Sequence, residues 1–200
     1  MKLEKVVLEG ARVRLVPLAP EHEAGLAEVV RDGELWKIPV TIVPPAEQLP
    51  AFLAAAEAAF AAGRELAFAT FDRAQDRIVG STRFRCLEAA HLRVEIGFTF
   101  IARSFQRSHI NTEAKYLMLE HAFEVWGMNR VELLTDLLND RSRAAIARIG
   151  ARQEGILRSH MVMRDGRVRD SVIFSVVRAD WPEVRAGLCA KLARPQAPER

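Results

Sequence analysis

Hydrophobic and polar positions alternate with a period of two along Leu92-Arg93-Val94-Glu95-Ile96-Gly97-Phe98-Thr99-Phe100, which predicts a strand. A polar, basic segment follows, Arg103-Ser104-Phe105-Gln106-Arg107-Ser108-His109. From Asn111 to Trp126 the period becomes helical, with Ala114, Leu117, Met118, Ala122 and Val125 on one face. Asn111 suits the N-cap of this helix and Gly127 its stop. The order strand, basic loop, helix start has chemical meaning. First-turn N–H groups lack intrahelical partners and carry the positive end of the dipole, so they suit a phosphate. Arg103 and Arg107 can add charge-assisted bonds to the same anion. The same residues also fit an ordinary strand-to-helix connection with solvated arginines, and the pattern alone leaves both readings open.

The remaining elements follow from the same two periods. Val6 to Leu18 alternates Arg12 and Arg14 against Val13 and Leu15, a first strand. Pro20-Glu21-His22-Glu23 opens a helix to about Val30, acids leading. Arg31 to Pro45 is irregular and carries Trp36 and several prolines, and Ala46 to Ala62 is an alanine-rich helix ending at Gly63. Leu66 to Phe71 and Arg77 to Phe84 read as a hairpin leading into the Leu92 strand. After the central helix come a short strand, Val131 to Thr135, and a helix ending at Gly150. Gln153 to Met163 and Val168 to Val177 flank Arg164-Asp165-Gly166-Arg167, a strong hairpin signal. Trp181 to Leu192 is a terminal helix, and 193–200 a frayed tail. No internal repeat or linker interrupts the chain, so residues 1–192 are expected to form one domain of mixed α/β (α+β) class.

Two hundred residues, half of them hydrophobic, can build one sizeable core. The net charge of +3 is spread along the chain with both signs interleaved, and no Lys/Arg tract points to nucleic acid or membrane partners. A nucleic-acid surface built from Arg158, Arg164, Arg167 and Arg169 has little support, since charge beside a hairpin turn is usually solvated. Cys86 and Cys189 lie far apart, and no Cys/His cluster has metal-ligand spacing, so free thiols, no metal and a cytoplasmic setting are expected. Neither a signal peptide nor a run of ~20 apolar residues is visible.

Three pieces of the central stretch resemble the central motif of the GNAT family of acyl-CoA N-acyltransferases. They are Glu95-Ile96-Gly97-Phe98, Gln106-Arg107 and Thr112-Glu113-Ala114. Within that family the chain most resembles the RimJ/RimL-like transferases, which act on ribosomal-protein N-termini. The resemblance spans essentially the whole chain and implies a GNAT fold, a mixed, mostly antiparallel sheet flanked by helices. It implies acetyl-CoA as acyl donor, with its pantetheine arm along the splayed strand at Phe98, Thr99 and Phe100. Its pyrophosphate would meet Arg103, Gln106, Arg107, Ser108, His109, Ile110, Asn111 and Thr112. The family loop carries glycine at the positions of His109 and Asn111, so a positive φ there would cost more here than in the family. Glu113 would then have to point away from the phosphates, as a structural residue.

Acyl transfer to an amine needs a base for the amine proton and usually a donor to the leaving thiolate. Glu95 is the first base candidate, because apolar neighbours on an alternating strand can desolvate it and raise its pKa. A surface carboxylate paired with Arg93 is the plain alternative. Asn139-Asp140-Arg141-Ser142 fits a helix cap equally well. It also resembles the family's Asn-x-x-Ser, where Asn contacts the pantetheine arm and Ser lies near the sulfur. Ile146 stands where many members carry a tyrosine acid, so the resemblance leaves Ser142 to hydrogen-bond the departing sulfur. His160 and Asp170 on the last hairpin and Trp36 opposite are candidate acceptor-site residues. The expected activity is direct acetyl transfer to a primary amine, either a protein N-terminus or a small molecule, with a homodimer as an available assembly. A GNAT-fold binding or regulatory protein without catalysis is the alternative.

Overall fold

The computed structural model describes residues 3–194, so most of the expected tail, 195–200, lies outside the described residues. Along the chain come β1 (Leu8–Glu9), β2 (Val13–Pro17), α1 (Glu23–Arg31), α2 (Leu49–Ala61), β3 (Leu66–Asp72) and β4 (Arg77–Glu88). Then follow β5 (Arg93–Ile101), α3 (Ile110–Glu120), β6 (Arg130–Asp136), α4 (Asp140–Arg148), β7 (Arg152–Val162), β8 (Val168–Val177) and α5 (Trp181–Ala193). The strands make one open sheet in the order β1-β2-β3-β4-β5-β6-β8-β7. Every neighbouring pair is antiparallel except β5 and β6. This is the mixed, mostly antiparallel sheet of the expected α/β class. No helix among the described residues is long and apolar enough to cross a membrane.

Alternation along the strands splits the core into two layers. Phe68 of β3 packs with Phe84, Met118 and Leu119 in the layer under α3 and α5. Its neighbours Ala67 and Ala69 face the opposite layer, with Leu26, Leu49 and Phe100 under α1 and α2. The stretch expected as one first strand is instead the hairpin β1–β2, turned at Gly10, whose N–H bonds the Val13 carbonyl at 2.8 Å. A side chain at Gly10 would collide with the Glu113 carboxylate. That buried carboxylate accepts the Arg12 N–H at 2.8 Å, tying α3 to the hairpin. Glu113 therefore points away from the loop, the structural role expected of it.

Two details of α3 depart from expectation. The helix starts at Ile110, one residue before the expected cap, and His109 holds the N-cap position. Ser108 supplies the capping oxygen, its Oγ accepting the Ile110 N–H at 3.3 Å. At the other end α3 passes into a π-helical turn, His121–Val125, in which the Trp126 N–H reaches the His121 carbonyl at 3.0 Å. One extra residue per turn rotates the following side chains, so Phe123 is buried while Val125, expected on the apolar face, is 68% exposed. Gly127, at φ +68°, ends the segment as expected.

Candidate active site

The two central strands part company early. β5 and β6 pair only at Arg93–Arg130, Val94–Val131 and Glu95–Glu132. Beyond Glu95 the β5 backbone loses β6 as a partner, and a cavity of about 1210 Å³ opens between the diverging strands. Unpaired strand backbone of this kind can take an extended, amide-bearing ligand as an added strand. The divergence coincides with a bulge, where Phe98 and Thr99 oppose the single residue Thr82 in β4. Phe98 takes φ +48°, a conformation costing roughly 1–2 kcal/mol outside glycine. Two guanidiniums hold its ring, Arg83 at 4.6 Å and Arg85 at 4.8 Å from the centroid. Arg83 is itself buried, paired with Glu65 at 2.8 Å and stacked on Phe52 at 4.8 Å.

Glu95 stands where the strands part. Its residue exposure is 7%, and its carboxylate lies 3.5 Å from Arg85 Nη1. A Cβ on Gly97 would come within 2.7 Å of Glu95 Oε1, so the glycine leaves room for the acid. Burial pushes its pKa up, partly offset by Arg85 and a hydrogen bond with the Cys86 thiol. Arg93, the partner weighed in the plain alternative, goes to Glu132 instead, at 3.4 Å. Glu95 is thus a desolvated carboxyl on the cavity wall.

Across the cavity, Asn139 caps α4, its Oδ1 accepting the Ser142 N–H at 3.0 Å. The capping reading is therefore correct for its oxygen, and the cap is what sets Asn139 and Ser142 together on the wall. Gln106 links the basic loop to the same helix. Its Nε2 donates to the Ile101 carbonyl at 2.9 Å, and its Oε1 accepts from Arg141 at 2.8 Å. Arg107, Ser108 and Asn111 also line the cavity, joined by Arg141 and Arg148. At the helix start the Glu113 N–H is the first to bond backward, to the His109 carbonyl at 2.9 Å. Asn111 and Thr112 therefore carry the unclaimed first-turn N–H groups among the described residues. The left-handed backbone of this glycine-free loop falls on Arg107, at φ +65°, and at neither of the positions where the family carries glycine.

Several expected residues sit elsewhere. The Arg103 side chain packs against Gly33, outside the cavity wall. His109 turns to Asp72, with Nε2 3.5 Å from Oδ1, so its ring leaves the cavity clear. Ile110 and Thr112 are buried in the first turn of α3 and do not line the cavity. Trp36 packs on the core under α1 and α2, while its neighbours Leu35 and Ile38 reach the wall. Asp170 anchors its hairpin by accepting the Ser159 N–H at 2.7 Å, and does not line the cavity. Phe98, Thr99, Phe100 and His160 line the cavity.

Two buried cations on the wall escaped the sequence reading. Lys115 is 4% exposed, and its Nζ donates to Thr99 Oγ1 at 2.7 Å and Thr82 Oγ1 at 3.1 Å. Burial without a carboxylate partner brings its pKa down to about 7. Its signal was present, since Lys115 follows Asn111 by one helical turn and precedes buried Leu119 by another. Arg169, grouped above with solvated hairpin arginines, is buried and lines the cavity, whereas Arg158 and Arg164 are exposed.

The description "Acetyltransferase (GNAT) domain" matches this chain over residues 12–152. Bacillus subtilis YdaF, whose name is that of a ribosomal N-acetyltransferase, is 31% identical over 104 residues, 52% of this chain. The matched stretch spans 56% of that relative's own length, little more than half. A GCN5-related N-acetyltransferase from Brucella melitensis has a TM-score of 0.86 at 32% identity, covering 96% of this chain and 88% of that one. Mycobacterium smegmatis RimJ, solved in complex with CoA-disulfide, has a TM-score of 0.78 at 23% identity over 94% and 92% of the two chains, a likeness of fold. The diverging β5 and β6, the capped basic loop and the family match over residues 12–152 agree: the chain belongs to the GNAT family of acetyltransferases, with its likeness running to the RimJ/RimL-like branch.

Proposed function

We propose that this chain is an acetyl-CoA-dependent N-acetyltransferase that moves an acetyl group to a primary amine by direct attack. The observation that carries the reading is the coincidence, in one cavity, of the parting strands, a basic helix start and a desolvated carboxyl. The residues present fit the donor. Arg107, Arg141 and the Asn111 N–H group would hold its phosphates. The unpaired β5 edge from Gly97 to Phe100 would take its pantetheine amides, and Asn139 would face the same arm. The bound donor supplies a thioester carbonyl open to attack.

The chain's own groups then divide the work. Glu95 takes the proton from the attacking nitrogen, directly or through one water, and the rise in its pKa on burial makes it a stronger base. The N–C bond forms as the C–S bond breaks, and the Ser142 hydroxyl meets the departing sulfur. Arg85 beside Glu95 favours the ionised carboxyl and so offsets part of the effect of burial.

Titration calorimetry with acetyl-CoA tests the reading, with Arg107→Ala as the control. Micromolar binding that Arg107→Ala weakens more for CoA than for dephosphorylated pantetheine is expected. Equal losses for both ligands would remove Arg107 from the phosphate site. No binding by the unaltered protein would replace the enzyme with a regulatory protein of the same fold.

A further inference from the structure

We propose that Arg169 makes the acceptor site selective for an amine that also carries a carboxylate; this rests on the transferase reading above. Arg169 lies on β8 opposite Met161 of β7, at the end of the hairpin that overhangs the cavity. Its exposure is 7%, and its one hydrogen bond to protein among the described residues runs from Nε to Ser171 Oγ at 2.9 Å. No carboxylate among the described residues makes an ion pair with it. The two acids whose charge reaches it are already engaged: Asp136 with Arg167 and the Leu138 N–H, Glu95 with Arg85.

A buried guanidinium that keeps its charge ordinarily has an anion, because desolvating it without one is unfavourable. Here the four remaining N–H donors belong to a fork that matches a carboxylate in bidentate geometry. Ser171 Oγ fixes the stem of that fork and is held in turn by His160 Nδ1 at 3.0 Å. The charge of Arg169 acts on Glu95, so the site offers a base and a free guanidinium within one electrostatic neighbourhood. An acceptor whose amine reaches Glu95 would find at Arg169 a partner for its carboxylate. Leu35, Ile38, Ile42 and Phe52 on the facing wall would take an apolar side chain. Two sources supply this chemistry, the α-carboxylate of a free amino acid and the acidic side chain of a peptide's first residue.

The test compares matched acceptors with the intact protein, Arg169→Met and Arg169→Lys, following CoA release at pH 8.5. Leucine against leucinamide probes the α-carboxylate, and Asp-Leu-amide against Asn-Leu-amide probes the side chain. With kcat/KM referred to the neutral-amine fraction of each acceptor, the acidic member of at least one pair should be preferred about tenfold to a hundredfold, the range expected for a charge-assisted contact. Arg169→Met should bring that ratio close to one, and Arg169→Lys should keep part of it. The acid limb of the pH profile should also move upward in Arg169→Met for acids and amides alike, because a positive charge acting on Glu95 is gone. Absence of acid preference in both pairs, its survival in Arg169→Met, or donor binding without transfer to either acid would overturn the proposal. Failure of the intact protein to bind acetyl-CoA would instead overturn the transferase reading beneath it.

Discussion

Lys115→Met should make the protein more stable at neutral pH, and the gain should vanish as the pH rises. Lys115 is buried between Thr82 and Thr99 with no carboxylate partner among the described residues, and its pKa falls from 10.5 to about 7. Below about pH 7 the amine is charged in both the folded and unfolded chains, and the folded state carries the whole desolvation cost. Between about 7 and 10.5 the unfolded chain binds a proton that the folded one does not, so stability rises with pH by up to ~1.4 kcal/mol per unit. Above 10.5 the amine is neutral in both states and the cost is gone. The gap of about 3.5 pH units corresponds to roughly 4–5 kcal/mol.

Methionine fills similar space without charge. It gives up two hydrogen bonds worth about 1 kcal/mol each. Thr82 and Thr99 retain each other at 2.8 Å, which softens that loss. The net gain at pH 7 should be about 2–4 kcal/mol, falling to nothing or reversing near pH 10. Urea unfolding of both proteins between pH 6.5 and 9.5, with equal m-values, reads the difference directly. Parallel stability curves across that range would refute the argument, because they would mean that Lys115 stays charged in the fold.

Glu95→Gln should lower kcat by about a hundredfold or more, and the acid limb of the intact protein should lie above the ordinary carboxylate range, since burial raises this pKa. Rates that fall off only below about pH 4.5, or a limb unchanged in Glu95→Gln, would take Glu95 out of the mechanism. Ser142→Ala should reduce turnover while acetyl-CoA affinity stays nearly constant; a large affinity loss with normal turnover would assign Ser142 to binding. Arg107→Gly should be more stable to urea unfolding than Arg107→Ala by about 1 kcal/mol, because only glycine relieves the φ of +65°. Equal stabilities would place the strain elsewhere.

Much of the architecture was legible because its causes are local. Period-two and helical runs reported the element order, Asp165-Gly166 announced the last hairpin, and Glu95 could be placed on a strand among apolar neighbours. Asn139 illustrates a reading in which cap and site coexist: the cap bond to Ser142 sets both residues on the cavity wall. The misplaced residues failed for a common reason. Trp36 and Arg103 lie in irregular segments whose side-chain directions follow no period, and packing turned both away from the cavity. Val125 followed the helical period until a π turn shifted it.

From the sequence alone came the strands, the helices, the basic loop ahead of α3 and the carboxyl at the central strand, all consequences of neighbours a few residues apart. Tertiary structure alone decided which charges lost their water. Lys115 and Arg169 look like ordinary surface cations until α3 meets β4 and β5, and until the β7–β8 hairpin closes beside β6. Desolvation depends on atoms far away in the chain, and local spacing gives at most the face a residue occupies. The same holds for the cavity itself, which exists because β5 and β6 stop pairing after Glu95 and Glu132.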